Sequence, residues 1–313
     1  MYYPYFRGKQ YELITIRENA DRLAGAGFVP IIEPVRESLN SLKRALDAVT
    51  NSDGEAVLIV NPNCGEHIAD STAIRSLLES EFADSNNILA GIILSEELSV
   101  EDAIVLCNAQ KPRRVALIHA GFAAAKQLAE KLAELGMDVR HIFLEDYCGK
   151  LYRKHFAGST RVLLRDGFQK KKSNKLHPDV EFFSDLHITF SDEGMDGFGD
   201  FLIVGDDYSE GGGPAYTVAI HLSYIDPEKD EEMHVHHFKS VRQDTPTDVP
   251  GKFAEALEKL VAEVARPGTP VIYTEAVAEF MDLHKKGHFP GLGSVKKLSM
   301  KHHIETLAKY LSI

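Results

Sequence analysis

The sequence predicts an α/β protein built on a parallel sheet, closed as a (β/α)8 barrel of the TIM type. Short runs that are apolar nearly throughout recur along the chain, as parallel strands buried on both faces require. Each run ends on a polar residue and is followed by a helical pattern, at roughly the 25–35-residue spacing of βαβ units. The chain has no GxGxxG after its first strand and no P-loop. That removes the usual dinucleotide and nucleotide readings of an open, doubly wound sheet and favours the barrel.

The elements follow in order. Residues 1–10 carry three tyrosines and a proline, and a helical pattern over 9–23 places Leu13, Ile16, Ala20 and Leu23 on one side. Gly25 and Gly27 end that helix. FVPIIEPV, residues 28–35, is read as the first barrel strand and ends in Glu33 and Pro34. A helix capped by Ser38 or Asn40 leads to strand 56–60, which ends at Asn61. Helix 72–82 leads to strand 88–94, ending in Ser95, Glu96 and Glu97. Ser99 and Asp102 have capping-box spacing at the start of a short helix. Strand 114–118 ends at His119, and the alanine-rich helix 123–135 stops at Gly136. Strand 140–144 ends in Glu145 and Asp146, and strand 161–164 in Arg165 and Asp166.

Runs 200–204 and 217–224 complete the eight strands. Between them lies a loop with Asp206, Asp207 and the Gly211–Gly213 run, read as a mobile loop over the barrel mouth. Residues 178–186 read as a helix and 192–199 as a turn-rich acidic linker. Segments 217–224 and 233–241, joined by Asp226-Pro227-Glu228-Lys229-Asp230, read as a β-hairpin decorating the barrel. Helices follow at 251–265, 274–286 and 295–311. With no linker of domain-boundary character, residues 1–313 are read as one TIM-barrel-like domain, with a hairpin decoration at 217–241 and a C-terminal helical segment at 274–313.

Composition narrows the function classes. The formal net charge of −12 opposes a surface coated in nucleic acid. Three scattered cysteines, Cys64, Cys107 and Cys148, fit reduced thiols and a cytoplasmic location. No apolar run is long enough to span a bilayer, and the opening residues lack a secretory pattern.

In such barrels chemistry gathers at the C-terminal ends of the strands. Glu33, Glu145, Asp166 and Asp206 form the natural oxygen set for a hard cation, Mg²⁺ or Ca²⁺. Glu33, His119 and Asp166 are the candidate catalytic groups, with His119 as acid–base and Arg165 as a phosphate or carboxylate clamp. The competing reading is that these residues cap helices and pair with one another. HVHHF, residues 234–238, places His234 and His236 on one face of a strand, an arrangement known for zinc. Its position in a hairpin favours solvent-facing histidines instead. Residues 284–303 hold five lysines and no acid. Lys296, Lys297 and Lys301, beside a helix start after Gly291, are the candidates for phosphate or nucleic acid. Against that stands a basic face paired with acids of the same chain. Lys170–Lys172 form a shorter basic patch.

The opening MYYPYFRGKQYELITIRE, GFVPIIEPV, GDFLIVGDDYS and KKLSMKHHIE together resemble an uncharacterised bacterial family, itself similar to the phage-type beta protein family. The resemblance covers most of the chain. It implies a two-component unit in defence against phage or mobile DNA, with a small nuclease-like companion encoded alongside. It carries no catalytic residues. Three functions follow as expectations. The first is a barrel scaffold or sensor for a nuclease-like partner, docking through the hairpin or through YYPYF at residues 2–6. The second is a metal-dependent hydrolase or phosphodiesterase. The third is nucleic-acid or phosphate binding through the C-terminal lysines.

Overall fold

The computed structural model describes residues 1–312. The chain divides into two compact units, Met1–Arg165 with Leu186–Phe201, and Asp166–Asp185 with Leu202–Ile313.

The first unit is the barrel. Its strands are β1 (Tyr5–Phe6), β2 (Ile31–Ile32), β3 (Ala56–Ile59), β4 (Ile88–Ser95), β5 (Val115–Ala120), β6 (Val139–Leu144) and β7 (Arg161–Leu164). Strand β8 (Val180–Ser184) lies in the second unit, and β9 (Gly197–Gly199) is the eighth barrel strand. The order is β1-β2-β3-β4-β5-β6-β7-β9, every neighbouring pair parallel. The sheet is nearly closed: Tyr2 bridges Phe198, the Tyr3 amide donates to the Phe198 carbonyl at 2.8 Å, and the Tyr5 amide to the Asp200 carbonyl at 2.9 Å. Helices α1 (Gln10–Glu18), α2 (Ala20–Gly25), α3 (Asn40–Asn51), α4 (Thr72–Glu81), α5 (Val100–Ala109), α6 (Ala125–Glu134), α7 (Lys150–Lys154) and α8 (Leu186–Thr189) alternate with the strands.

Alternation along each strand fills the interior. Ile31, Val57, Ile59, Leu89, Ile93, Ala116, Ile118, Ile142, Val162 and Leu164 pack with Tyr3, Tyr5 and Phe201 in one buried cluster. Gly91 belongs to this inner row of β4. A Cβ there would lie 2.8 Å from Val57 Cγ1 and 3.1 Å from Ile118 Cδ1, so the large neighbours occupy its space.

The barrel is the predicted one, built from partly different strands. Its first strand is Tyr5–Phe6, two residues too short to show a period, and FVPIIEPV supplies the second. Ile31 and Ile32 are its strand residues; the Val29, Ile31 and Glu33 amides donate to the Tyr2, Pro4 and Phe6 carbonyls on the β1 side, while Pro30 and Pro34 have no N–H to offer on the β3 side. The eighth strand falls in the stretch read as an acidic linker. Its glycines are a packing requirement: a Cβ on Gly199 would strike the Tyr3 carbonyl, and one on Gly197 would come within 2.7 Å of the Met1 carbonyl. Residues 200–204 are therefore not a strand, and 217–224 leave the barrel altogether.

The second unit holds β10 (Ala219–Asp226) and β11 (Glu232–Lys239), the predicted hairpin, with β8 added antiparallel on the far side of β11. The stretch read as a helix at 178–186 thus supplies a sheet edge. Helices α9 (Val249–Ala265), α10 (Glu275–Lys286) and α11 (Leu292–Leu311) follow. Ile220, Leu222 and Phe238 on one sheet face pack with Phe253, Leu257, Phe280 and Leu298 of these helices. Lys252 of α9 is buried, its ammonium donating to the carbonyls of Ala215 (3.1 Å), Tyr216 (2.9 Å) and Thr245. Among the described residues no helix is long and apolar enough to cross a membrane.

Candidate functional site

Glu33 lies two residues beyond the inward-facing Ile31 and so points into the C-terminal end of the barrel, fully buried. Its Oε2 accepts from Tyr5 Oη at 2.7 Å and from Arg7 Nη1 at 2.6 Å, and its Oε1 accepts from the Asn63 amide at 2.8 Å. The Arg7 guanidinium also lies over the rings of Tyr5 and Phe201, 5.2 and 5.7 Å from their centroids. Glu33 therefore ties the first strand, the second strand and the loop after the third. Glu145 is held by Arg165 through two parallel bonds, Nε at 2.5 Å and Nη2 at 3.0 Å, so the expected clamp is engaged within its own unit. Asn61 completes the β3–β4 ladder with its side chain, donating to the Ile93 carbonyl at 2.9 Å and accepting from the Ile93 amide at 2.8 Å.

His119 stands on the other face of its strand. Ile118 points inward, so His119 points at the surrounding helices and is completely buried. Its Nδ1 meets Tyr152 Oη at 2.7 Å and its Nε2 meets His141 Nδ1 at 3.0 Å, with the rings of Phe143 and Phe156 within 5 Å. Burial, reinforced by His141, holds its pKa well below the usual histidine value. It is a neutral core histidine.

Asp166 and Asp206 belong to the second unit, Glu33 and Glu145 to the first. Asp166 accepts from the amides of Phe168 (3.0 Å) and Asp206 (2.8 Å), which shapes the local turn. Of the C-terminal lysines, Lys301 is surrounded by Glu275 (3.4 Å), Glu279 (2.5 Å) and Glu305 (4.0 Å), and Lys286 pairs with Asp282 at 2.6 Å. The paired-face reading holds for these two. Lys296 and Lys297 lie near the start of α11.

The residues that the second unit brings together are different ones. The hairpin register, closed by Asp226 opposite Glu232, sets His221 directly across from His237. Strand β8 pairs Glu181 with Val235, which makes Glu181 the diagonal neighbour of His237 on the same face. A one-turn 3₁₀ helix at Asn174–Leu176, capped by Ser173, delivers His177 to the same place. His177 Nδ1 lies 3.1 Å and His237 Nε2 3.0 Å from the same Glu181 oxygen, Oε1. His221 Nδ1 and His237 Nδ1 are 2.6 Å apart, and the rings of His177 and His237 stack with centroids 4.3 Å apart. The Phe168 ring covers His177 and His221 at 5.5 and 5.2 Å. Among the described residues, His177, Glu181 and His237 are the group of three metal-ligating side chains whose ligand atoms all lie within 4.8 Å of one another.

Burial dominates the electrostatics there. It lowers the pKa of His221 to about 3 and of His237 to about 2, and it lowers that of His177 against the opposing pull of Glu181. These imidazoles are neutral at pH 7. The HxH pair singled out in the sequence is not part of the group. His234 and His236 share the opposite face, His234 against Tyr224 and Glu232 and His236 stacked on Phe238. Nor are the hairpin histidines solvent-facing: His234 is 6% exposed and His237 1%. The missed signal was the pairing that the turn at 226–232 imposes on His221 and His237.

No family model matches the chain, and no curated protein matches it.

Proposed function

We propose that this chain is a cytoplasmic barrel scaffold or sensor that acts through a nuclease-like partner protein, in a two-component unit directed against phage or mobile DNA. The observation that carries the scaffold reading is the internal use of the strand-end carboxylates. Both oxygens of Glu33 are taken by Tyr5, Arg7 and the Asn63 amide, and Glu145 is taken by Arg165. A catalytic carboxylate has to keep an oxygen for substrate, water or metal. The nature of the partner rests on the family resemblance of the opening and C-terminal segments.

The docking surface we assign is the sheet edge at β8, where Val180 and Phe182 are exposed, together with the exposed Leu176 just before the strand. YYPYF is unsuited to docking, since Tyr2, Tyr3, Tyr5 and Phe6 are buried in the barrel closure. Co-expression with the adjacent gene product should give a complex that survives gel filtration, and Phe182→Glu should disrupt it. Separate elution, with nuclease activity unaffected by this chain, would overturn the proposal. The rival hydrolase reading predicts metal-dependent phosphodiester cleavage by this chain alone, lost in Glu33→Ala.

A further inference from the structure

We propose that His177, Glu181 and His237 bind one divalent transition-metal ion of the zinc class, with His221 fixing the orientation of His237. The site belongs wholly to the second unit and does not depend on the partner reading.

The first support is geometric. The His177 and His237 nitrogens approach one carboxylate oxygen at 3.1 and 3.0 Å. Two ligand atoms on a tetrahedral zinc, each about 2.05 Å from the ion, lie about 3.3 Å apart. Movements of a few tenths of an ångström therefore convert the observed set into a coordination shell.

The second support is an unpartnered atom. His237 is 99% buried, yet its Nε2 makes no hydrogen bond, although Glu181 Oε1 is only 3.0 Å away. The angle is wrong for an N–H donor, so two electron-rich atoms face the same point without a proton directed between them. Such an arrangement is costly unless something positive occupies that point. A cation placed off the N···O line, as coordination requires, resolves it.

The third support is the contact behind the ligand. Metal-bound histidines characteristically use their second ring nitrogen to hydrogen-bond a neighbour, which fixes tautomer and ring orientation. His237 Nδ1 does this with His221 Nδ1 at 2.6 Å, leaving Nε2 as the ligand atom.

The chemistry of the set selects the metal. Two imidazoles and one carboxylate suit zinc and its first-row neighbours, and too few oxygens are present for Mg²⁺ or Ca²⁺. Glu181 is the least buried of the three ligands and marks the route of entry. The nearby cations include Lys171 Nζ, 3.8 Å from Glu181 Oε2, Lys239 Nζ, 2.5 Å from the His177 carbonyl, and Lys296, whose charge acts on His221. With three protein ligands, the fourth position belongs to water or to an incoming group.

The test uses the full-length, tag-free chain, stripped with chelator and titrated with Co²⁺, then with Zn²⁺ in competition. We expect one equivalent of Co²⁺ with a tetrahedral visible spectrum, displaced by one equivalent of Zn²⁺. Glu181→Gln and His177→Gln should weaken binding at least 100-fold, a loss larger than the 10–100-fold expected for His221→Gln, which touches only the supporting contact. His234→Gln and His236→Gln should bind as wild type. Far-UV circular dichroism checks that each variant is folded, and Glu181→Gln at a partly exposed position keeps the test decisive if a buried histidine variant is not. Failure of the wild type to take up one equivalent would overturn the proposal, as would equal affinity in folded Glu181→Gln or loss of binding in His234→Gln.

Discussion

Replacing Arg7 by methionine isolates what the Glu33 network contributes to the barrel. The Glu33 side chain is fully buried and that of Arg7 is 12% exposed, with Arg7 Nη1 2.6 Å from Oε2. Removing one partner of a buried pair leaves an uncompensated charge, at a cost of about 3–5 kcal/mol. Tyr5 and the Asn63 amide remain as donors to the carboxylate, which moves the expectation to the lower end, about 3 kcal/mol. The neutral double variant Arg7→Met/Glu33→Gln removes the stranded charge. It should be more stable than Arg7→Met alone, with a coupling of about 1.5 kcal/mol or more in the double-mutant cycle. The chain has no tryptophan, so urea unfolding is best followed by far-UV circular dichroism. The reasoning is refuted if Arg7→Met stays within about 0.5 kcal/mol of wild type, or if the two single effects simply add.

Three further outcomes follow from the geometry. Gly91→Ala should destabilise the barrel by about 1–3 kcal/mol in the same assay, because its methyl group meets Val57, Ile59 and Ile118 at 2.8–3.1 Å. Lys252→Met removes the charged donor from three carbonyls and should cost about 2–4 kcal/mol, with faster limited proteolysis near 215 and 245; an unchanged cleavage pattern would contradict this. In metal-free protein, acid should unfold the chain early. Burial holds His141 at about 3, His221 at about 3 and His302 at about 4, all below their unfolded value of about 6.5. Their contribution is intact above about pH 6.5 and is lost as pH falls toward those values, at about 1.4 kcal/mol per pH unit for each group. Urea midpoints measured between pH 7 and 5 should fall accordingly, and a flat profile would refute the assignment.

The barrel was legible because its central strands are largely apolar runs of four to eight residues. Ala56–Ile59, Ile88–Ser95, Val115–Ala120, Val139–Leu144 and Arg161–Leu164 all stand where apolar runs predict them. The first and last strands were not legible, for a physical reason. Tyr5–Phe6 and Gly197–Gly199 are defined by the partners they meet, and neither is long enough to display a period of its own. His119 does stand near the end of its strand, as the apolar run predicts, but which face it takes is set by the alternation with the inward-facing Ile118. The site in the second unit was harder still. His177 and His237 are sixty residues apart, and only the pairing of β8 with β11 brings them together. The HxH spacing concerns His234 and His236, which stand on the other face of β11 from His237.

The way the two units share the chain has a consequence for dissecting the protein. Residues 166–185 of the second unit are spliced into the barrel's own sequence, between its seventh and eighth strands. The eighth strand is the one that Tyr2 and Tyr3 bridge. A single cut therefore cannot yield both units intact. A fragment stopped at residue 165 loses Gly197–Gly199 and leaves two open sheet edges, while one begun at residue 202 loses β8 and with it Glu181 and His177. The same threading delays barrel closure during synthesis until about residue 200 has been made, so that the earliest strand waits longest for its partner.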